Sequence, residues 1–474
     1  MRTPAWQGLA LAAWVCAAAS ACSSEPAPPS PARRVILVTV DTLRADHLGC
    51  YGYARPTSPR LDELARECMV FDSAWSAAPL TVPSISALLG GRPPEELGVA
   101  SRANGLRMPA AVRTLPELLR ESGIDTAAFV SSCVLVAPPS ELGDVGVAQG
   151  FAHYDDELGK SERDRGMPER SAADCTSAVL RWLEARPAAA DRFFLWVHYQ
   201  DPHGPYTPPE ADRRLFERPH EGEAELPLGT NSSGLGQIPD YQQLDGERRP
   251  GPYVDGYDAE IHGFDAEFGR LLDGLRARGW LDDALLVFTA DHGESLGEGG
   301  SWFCHGETLQ HELLRVPLLV RPPRAARLAA RREPAVASYL DLWPTVLEAL
   351  AVAGPENRGL SLLARELPQG RIAAQSLGSA RFGRRWVAIT DGRWRLLACD
   401  PEPVRLFDLE QDPDERLDLA AERPEIVARL RRAHAELLAR HGSEELEGVL
   451  RESDEETQRA LRQFGYTPGA DGDR

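Results

Sequence analysis

The sequence predicts an α/β fold: a large layered sandwich around a mostly parallel sheet, followed by a smaller C-terminal α+β subdomain with an antiparallel sheet. Unbroken apolar runs, typical of strands buried on both faces of a parallel sheet, alternate with segments of helical periodicity. After about Gly354 the runs become short and are divided by turn signals, which is typical of antiparallel strands. Of the 474 residues, 43% are hydrophobic and 26% are charged, which excludes disordered, collagenous and multi-span membrane proteins.

Four apolar runs are predicted to form strands of the parallel sheet. They cover residues 35–40, 126–130, 193–197 and 285–289. A helix is predicted from about residue 257 to residue 278, because apolar residues recur at three- and four-residue steps and Gly279 ends the pattern. Residues 210–252 are rich in Gly, Pro and charge, so we expect a long surface excursion near the functional edge.

The C-terminal subdomain is predicted over residues 355–474. Its short strands are expected at residues 372–374, 386–389, 394–398 and 404–409, with Asp391-Gly392 as one of the turns. A helix from about Pro424 to Arg440 is expected to pack on this sheet.

The N-terminal residues are predicted to direct export. Arg2 precedes a short apolar run, and residues 1–21 have the form of a lipoprotein-type signal peptide. Small residues stand directly before Cys22, which resembles a bacterial lipobox, so Cys22 is the expected lipidation site. Residues 22–34 are a Pro/Ser-rich tether ahead of a catalytic domain at 35–354. We therefore expect an exported cell-envelope protein that contacts the membrane only through its lipid.

The charge balance restricts the partners. There are 52 Lys and Arg residues against 72 Asp and Glu residues, which gives a formal net charge of −20. Such a field repels nucleic acid, so no nucleic-acid partner is expected. An anionic substrate needs local positive charge, such as a metal ion. The single lysine, Lys160, lies in a charged loop.

Polar residues stand at the carboxyl ends of the predicted strands, where ligands bind in parallel sheets. Asp41 ends the first strand and Asp291-His292 follows another, while Asp201 and His203 come soon after a third. Carboxylates and an imidazole are a typical ligand set for a divalent cation. Asp41, Asp291 and His292 are therefore candidate metal ligands.

Residues 79–91 are predicted to be a loop that enters a short helix, with Thr81 as its cap and Gly90-Gly91 as its end. The amides and the positive dipole end of this helix attract anions. A hydroxyl placed there beside a metal ion is a plausible nucleophile towards sulfur or phosphorus.

The motifs, in this order, resemble those of the sulfatase family of the alkaline phosphatase superfamily. They are DTLRADHLGCYG from Asp41, TVPS from Thr81, DPHGPY from Asp201, YDAEI from Tyr257, DHGE from Asp291, HG at His305, VP at Val316 and LFDLEQDP from Leu406. The resemblance runs from about residue 35 to residue 437. It implies an alkaline-phosphatase-like sandwich and hydrolysis of sulfuric or phosphoric esters.

The resemblance also implies roles for single residues. It makes Asp41, Thr42, Thr81, Asp291 and His292 the metal-site positions, with Thr42 standing where the family has a second aspartate. Thr81 is then both ligand and nucleophile. By this resemblance the catalytic residues would be Thr81, His203 and His305. The substrate-binding residues would be Arg44, His203 and His305. Arg44 has a second expected role, a salt bridge that supports the metal carboxylates. Calcium is the ion the resemblance implies, although an imidazole ligand and a hydroxyl nucleophile also suit zinc, manganese or magnesium.

Two departures from the family pattern bear on the chemistry. Threonine at position 81 cannot be converted to formylglycine, and Ile85 stands where the family has an arginine, so no formylglycine is expected. The Lys-Trp-His-Leu-Gly stretch of the family is replaced by Ser131-Ser-Cys-Val-Leu135. Two alternatives therefore stay open: a transferase of phosphoryl head groups in the cell envelope, and a non-catalytic surface binding protein that retains the fold.

Overall fold

The computed structural model describes residues 31–99, 107–138, 144–161, 168–187, 192–379, 384–399 and 402–440. The predicted signal peptide and Cys22 lie outside the described residues, as does most of the predicted tether.

Strands in the described part of the chain are β1 (Arg34–Val40), β2 (Met69–Phe71), β3 (Ala74–Trp75), β4 (Asp125–Val130), β5 (His153–Asp155), β6 (Lys160–Ser161), β7 (Pro168–Glu169), β8 (Phe193–Tyr199), β9 (Ala284–Ala290), β10 (Ser295–Leu296), β11 (Trp302–Cys304), β12 (Leu318–Arg321), β13 (Arg331–Glu333), β14 (Ala337–Ser338), β15 (Ala373–Ser379), β16 (Arg384–Thr390), β17 (Trp394–Cys399) and β18 (Arg405–Asp408). The helices are α1 (Pro59–Ala65), α2 (Thr81–Gly90), α3 (Leu115–Glu121), α4 (Ala172–Ala185), α5 (Glu210–Phe216), α6 (Pro250–Ala277), α7 (His311–Leu314), α8 (Leu342–Leu350) and α9 (Pro424–Arg440).

An eight-stranded sheet in the order β13-β2-β12-β9-β1-β8-β4-β5 forms the centre of the molecule. Strand β1 lies between β8 and β9, and both pairs are parallel. Every residue of β1 is buried, because helices cover both faces of the sheet. The mostly parallel sandwich predicted from the sequence is confirmed. Strand β12 is the exception, since it pairs antiparallel with both β9 and β2.

Helices α5 and α6 differ from their predicted form. Helix α6 begins at Pro250, seven residues before the predicted start, and proline in the first turn suits a helix start. Helix α5 lies inside the segment 210–252, which was predicted as a long surface excursion without an assigned helix. Its exposed residues show no apolar period, but Arg213 pairs with Glu210 at 2.7 Å and with Glu217 at 3.0 Å. Ion pairs at this spacing support a short surface helix.

The C-terminal strands form the expected antiparallel sheet, in the order β15-β16-β17-β18. Helix α9 packs on it through Leu430, which meets Ile389, Leu396 and Leu406. Two buried polar contacts join this sheet to the larger layer. The side-chain amide of Gln375 donates to the carbonyl of Ser76 at 3.1 Å, and the Arg395 guanidinium donates to the carbonyl of Leu309.

Two further features concern the whole described chain. No helix in these ranges is long and apolar enough to cross a membrane. No disulfide joins the cysteines at positions 50, 68, 133, 175, 304 and 399.

Candidate active site

The site lies at the carboxyl ends of the central parallel strands. Asp41 follows β1, and its backbone amide donates to the carbonyl of Tyr199 at 2.9 Å. Asp291 follows β9, and its amide donates to the carbonyl of Val40 at 3.1 Å. The sheet ladder therefore continues one residue beyond the strands, which brings the two carboxylates side by side. This is the edge at which ligands bind in parallel sheets.

Thr81 reaches the same place from helix α2. It is the first residue of the helix, so the prediction that Thr81 caps α2 is wrong: the capping position is Leu80, and no side chain caps it. The Thr81 hydroxyl, fully buried, donates to Oδ2 of Asp41 at 3.5 Å and lies 3.3 Å from Nε2 of His292. As predicted, the helix ends at glycine, with Gly91 at φ 66°.

The donor set fits a divalent cation. Oδ1 of Asp41, Oδ2 of Asp291 and Nε2 of His198 are buried and have no hydrogen-bond partner among the described residues. One ligand atom from each of these three side chains lies within 4.8 Å of the other two. Two carboxylate oxygens and an imidazole nitrogen at this spacing can surround a single ion. His198 was not among the residues predicted from the sequence.

The pKa shifts within the cluster also favour a bound cation. Burial raises the pKa of Asp41, and burial together with the Asp41 charge raises the pKa of Asp291 to about 6. A cation between them would keep both carboxylates ionised at neutral pH. Burial also lowers the pKa of His198 to about 4, so this imidazole is neutral, the form that binds metals.

His292 is oriented towards the carboxylates. Its Nδ1 lies 2.9 Å from the carbonyl of Gly293, and a carbonyl only accepts, so Nδ1 carries the proton. Its Nε2 lies 3.6 Å from Oδ1 of Asp41 and 3.6 Å from Oδ2 of Asp291. The neighbouring carboxylates of Asp291 and Asp41 raise the pKa of His292 against the effect of burial. In the neutral ring the Nε2 lone pair lies beside both carboxylates, as expected for a metal ligand.

Thr42, one of the predicted metal-site residues, adopts a left-handed backbone with φ 53°. This conformation is uncommon for a β-branched residue and requires support. The Tyr257 hydroxyl supplies it, because it donates to the carbonyl of Thr42 at 2.7 Å and accepts from the amide of Arg44 at 2.9 Å. The Thr42 amide lies 3.3 Å from Oδ1 of Asp291. Its side-chain oxygen is buried without a hydrogen-bond partner within the described ranges.

Arg44 is held by acidic residues next to the site. Its guanidinium pairs with Asp46 at 2.7 Å and with Glu298 at 2.7 Å, and it donates to the carbonyl of Glu294 at 3.1 Å. These ion pairs are with Asp46 and Glu298 rather than with the candidate metal ligands Asp41 and Asp291, so the predicted support of the metal carboxylates by Arg44 stays a prediction. Contact between Arg44 and substrate oxygens stays a prediction.

His203 and His305 lie together beside the cluster. The two rings are 5.3 Å apart edge to face, and the His305 ring is 4.5 Å from that of His292. Nδ1 of His203 lies 2.9 Å from the carbonyl of Gly204, which assigns its proton to Nδ1. Nδ1 of His305 lies 3.1 Å from Oε1 of Glu294. Burial raises the pKa of Glu294 to about 8, and Tyr206 donates to its other oxygen at 3.2 Å.

The structure therefore brings six of the predicted site residues to one place: Asp41, Thr81, Asp291, His292, His203 and His305. Thr42 contacts this group through Asp291, and Arg44 lies next to it through the carbonyl of Glu294. Sequence reasoning missed His198 and Glu294. The signal for His198 was a histidine near the end of an otherwise apolar strand. Glu294 stood inside a motif without an assigned role.

Comparison with known proteins agrees with the geometry. The family model described as Sulfatase matches residues 33–352. The chain belongs to the sulfatase family. Among its relatives, human iduronate 2-sulfatase is 27% identical over 339 residues, covering 63% of this chain and 61% of that protein. Choline-sulfatase of Rhizobium meliloti is 26% identical over 408 residues, covering 77% of each chain.

Solved structures share the fold. The phosphonate monoester hydrolase of Agrobacterium radiobacter superposes with a TM-score of 0.69 at 20% identity, covering 88% of this chain and 97% of the other. A putative sulfatase from Bacteroides thetaiotaomicron gives 0.68 at 20% identity and covers 86% and 92%. The predicted alkaline-phosphatase-like sandwich is thus confirmed for this member of the sulfatase family.

Proposed function

We propose that the protein is a divalent-metal-dependent hydrolase of sulfuric or phosphoric esters in which the Thr81 hydroxyl is the attacking group. The observation that carries this proposal is the position of that hydroxyl, buried at the start of α2 between Oδ2 of Asp41 and Nε2 of His292. A nucleophile needs a group that takes its proton and a site that stabilises charge on the substrate. Asp41, 3.5 Å from the hydroxyl, would take the proton, and the cation held beside Thr81 would stabilise the charge.

Asp41, Asp291 and His292, with Thr81, would hold the cation. When bound, a divalent ion would stabilise charge on the non-bridging oxygens and lower the pKa of the hydroxyl. The Thr81 hydroxyl points its proton at Oδ2 of Asp41. A contact of 3.5 Å is long, but such contacts commonly tighten when substrate binds.

The leaving alcohol needs a proton, and His203 and His305 are the side chains suited to supply it. The proton on Nδ1 of His203 is engaged by the Gly204 carbonyl, so Nε2 is the nitrogen that exchanges a proton with substrate. Glu294 orients His305 in the same way through its Nδ1. By microscopic reversibility, the histidine that has given up its proton can then accept one from the water that hydrolyses the threonyl ester.

The sulfatase-family relatives are named for sulfate esters, and a phosphonate monoester hydrolase shares the fold. The nucleophile favours phosphoryl substrates among these. A formylglycine hemiacetal releases sulfate by elimination, whereas a threonine ester requires water to attack sulfur or phosphorus directly. That attack is more readily achieved at phosphorus. We therefore place phosphoric esters first within the proposed substrate class.

The test is an assay of purified, metal-analysed protein against matched aryl sulfates, aryl phosphate monoesters and aryl phosphate diesters. Wild-type protein should hydrolyse at least one of these classes, and T81A protein should not. No turnover by metal-loaded wild-type protein would contradict the proposal and favour the binding-protein alternative. Transfer of the phosphoryl group to an added alcohol in preference to water would favour the transferase alternative.

A further inference from the structure

We propose that His198 is an additional ligand of the catalytic metal ion, and that the pair His198 and His292 makes the site prefer a borderline transition-metal ion such as Zn²⁺ over Ca²⁺. This inference rests on the proposed function in that it assigns the ligands and the identity of the same ion. It departs from the calcium that the motif resemblance implies.

The position of His198 follows from the sheet. Strand β8 runs parallel to β1 with His198 opposite Thr39, two residues before Asp41. The His198 side chain is fully buried, and its Nε2 lies 3.8 Å from Oδ2 of Asp41. That distance is too long for a hydrogen bond, and Nε2 has no other partner in the described chain. One ligand atom of His198 nevertheless lies within 4.8 Å of ligand atoms of both Asp41 and Asp291, a spacing that one shared ion accounts for.

The other nitrogen of His198 is anchored in the way metal-binding histidines are. Its Nδ1 lies 2.9 Å from the hydroxyl oxygen of Thr39, and that oxygen accepts from Nε1 of Trp196 at 2.9 Å. A hydroxyl oxygen has two lone pairs and can accept from both rings. With the His198 proton on Nδ1, the Nε2 lone pair faces the carboxylates. A hydrogen bond from the second ring nitrogen to an outer residue is the usual support of a histidine ligand.

The chemistry of the donors decides which ion they suit. Thr42, the residue after Asp41, offers a neutral hydroxyl and no carboxylate. With His198 as a ligand, the set is two carboxylates, two imidazoles and the Thr81 hydroxyl. Ca²⁺ prefers six to eight oxygen ligands, whereas imidazole suits zinc and other transition metals. Two nitrogen ligands therefore shift the preference away from calcium.

The test measures metal binding directly, by titration calorimetry of metal-free protein with Zn²⁺ and separately with Ca²⁺. Wild-type protein should bind Zn²⁺ at least about tenfold more tightly than Ca²⁺. H198Q should lose about 10- to 100-fold in Zn²⁺ affinity, with a much smaller change for Ca²⁺. H153Q, which alters an exposed histidine on β5, is the matched control and should bind both ions as wild type does. Equal or tighter binding of Ca²⁺ by wild-type protein, or unchanged Zn²⁺ affinity in H198Q, would overturn the inference.

H198Q replaces a fully buried side chain, so a second measurement uses wild-type protein alone. X-ray absorption at the zinc edge of Zn²⁺-loaded wild-type protein counts the imidazole rings on the ion. Two rings support the inference, and one ring overturns it. The outcome is separable from the proposed function: two rings without ester turnover would contradict only the hydrolase, and turnover with one ring would contradict only the role of His198.

Discussion

The hydroxyl oxygen of Thr81 lies 3.3 Å from Nε2 of His292, although the two residues are 211 positions apart in the chain. Helix α2 brings Thr81 there from one side, and the end of strand β9 brings His292 from the other. The contact places the proposed attacking oxygen at the edge of the candidate metal cluster. The proposed mechanism depends on this arrangement.

Substitutions at Thr81 test the proposed nucleophile while leaving the fold intact. T81A should reduce turnover by at least about 10³-fold, because the covalent step is lost. T81S retains an attacking oxygen and should keep measurable activity. Thr81 makes no side-chain cap on α2, so neither change should shift the melting temperature by more than a few degrees. Steady-state kinetics and thermal melts on the same samples test both statements. Wild-type turnover in T81A would leave water as the attacking group.

The roles of His203 and of His305 can each be tested by varying the leaving group. If His203 or His305 protonates the departing alcohol, its replacement by glutamine should lower turnover of an alkyl ester by about 10²- to 10⁴-fold. A nitrophenyl ester should suffer much less, since nitrophenolate leaves without a proton. H153Q again serves as the control. Equal losses for both esters would contradict proton donation and indicate a role in binding the ester.

The ion pair between Arg395 and Glu415 contributes to the stability of the C-terminal subdomain. The Arg395 side chain is fully buried, and its guanidinium pairs with the Glu415 carboxylate. Burial alone would raise the pKa of Glu415, but Arg395 and His311 outweigh burial and lower the pKa to about 2. Because the folded pKa lies below the ordinary value of 4.5, this stabilisation is present above about pH 4.5 and is lost as the pH falls towards 2.

E415Q should therefore destabilise the protein at pH 7 by about 3 kcal/mol, because a buried guanidinium loses its partner. Thermal melts should show a midpoint several degrees lower, with the difference shrinking below pH 4.5. E410Q, which removes an exposed partner of Arg393, should change the midpoint little. An equal effect of the two variants would show that burial of Arg395 does not matter.

Four adjacent strands of the large sheet were predictable because strands buried on both faces of a parallel sheet require uninterrupted apolar runs. Strands β1, β4, β8 and β9 begin and end within two residues of their predicted bounds. Strand β2 is only three residues long, and its apolar residues carry too little periodicity to be recognised. The early start of α6 at Pro250 was hidden by glycine and proline, which are ordinarily turn signals.

The site was predictable where a polar residue interrupted a pattern. Asp41 and Asp291 stand immediately after buried strands, so their position at a common edge of the sheet followed from topology. His198 lies within its strand, and only the register against Thr39 reveals that its ring reaches the carboxylates. The support that Tyr257 gives to Thr42 is likewise a contact between distant segments, 215 positions apart, that no local pattern encodes.

The proposed lipid anchor is tested separately from the chemistry. Small residues before Cys22 and the Pro/Ser-rich segment after it predict that the mature chain partitions into detergent. C22S should move the protein to the soluble fraction while leaving its hydrolytic activity unchanged. Phase partitioning of expressed protein, with mapping of the mature N-terminus, is the measurement. A mature N-terminus well beyond Cys22 would contradict the anchor.

The most direct test of the central claim is to trap the covalent intermediate. Wild-type protein, loaded with metal, is mixed with its best ester substrate, quenched in acid within the first turnover, digested and analysed by mass spectrometry. The account predicts one added sulfuryl or phosphoryl group on the peptide that contains Thr81, located on Thr81 itself and absent from T81A. An unmodified Thr81 peptide throughout a turnover whose alcohol product is released in a burst would contradict it.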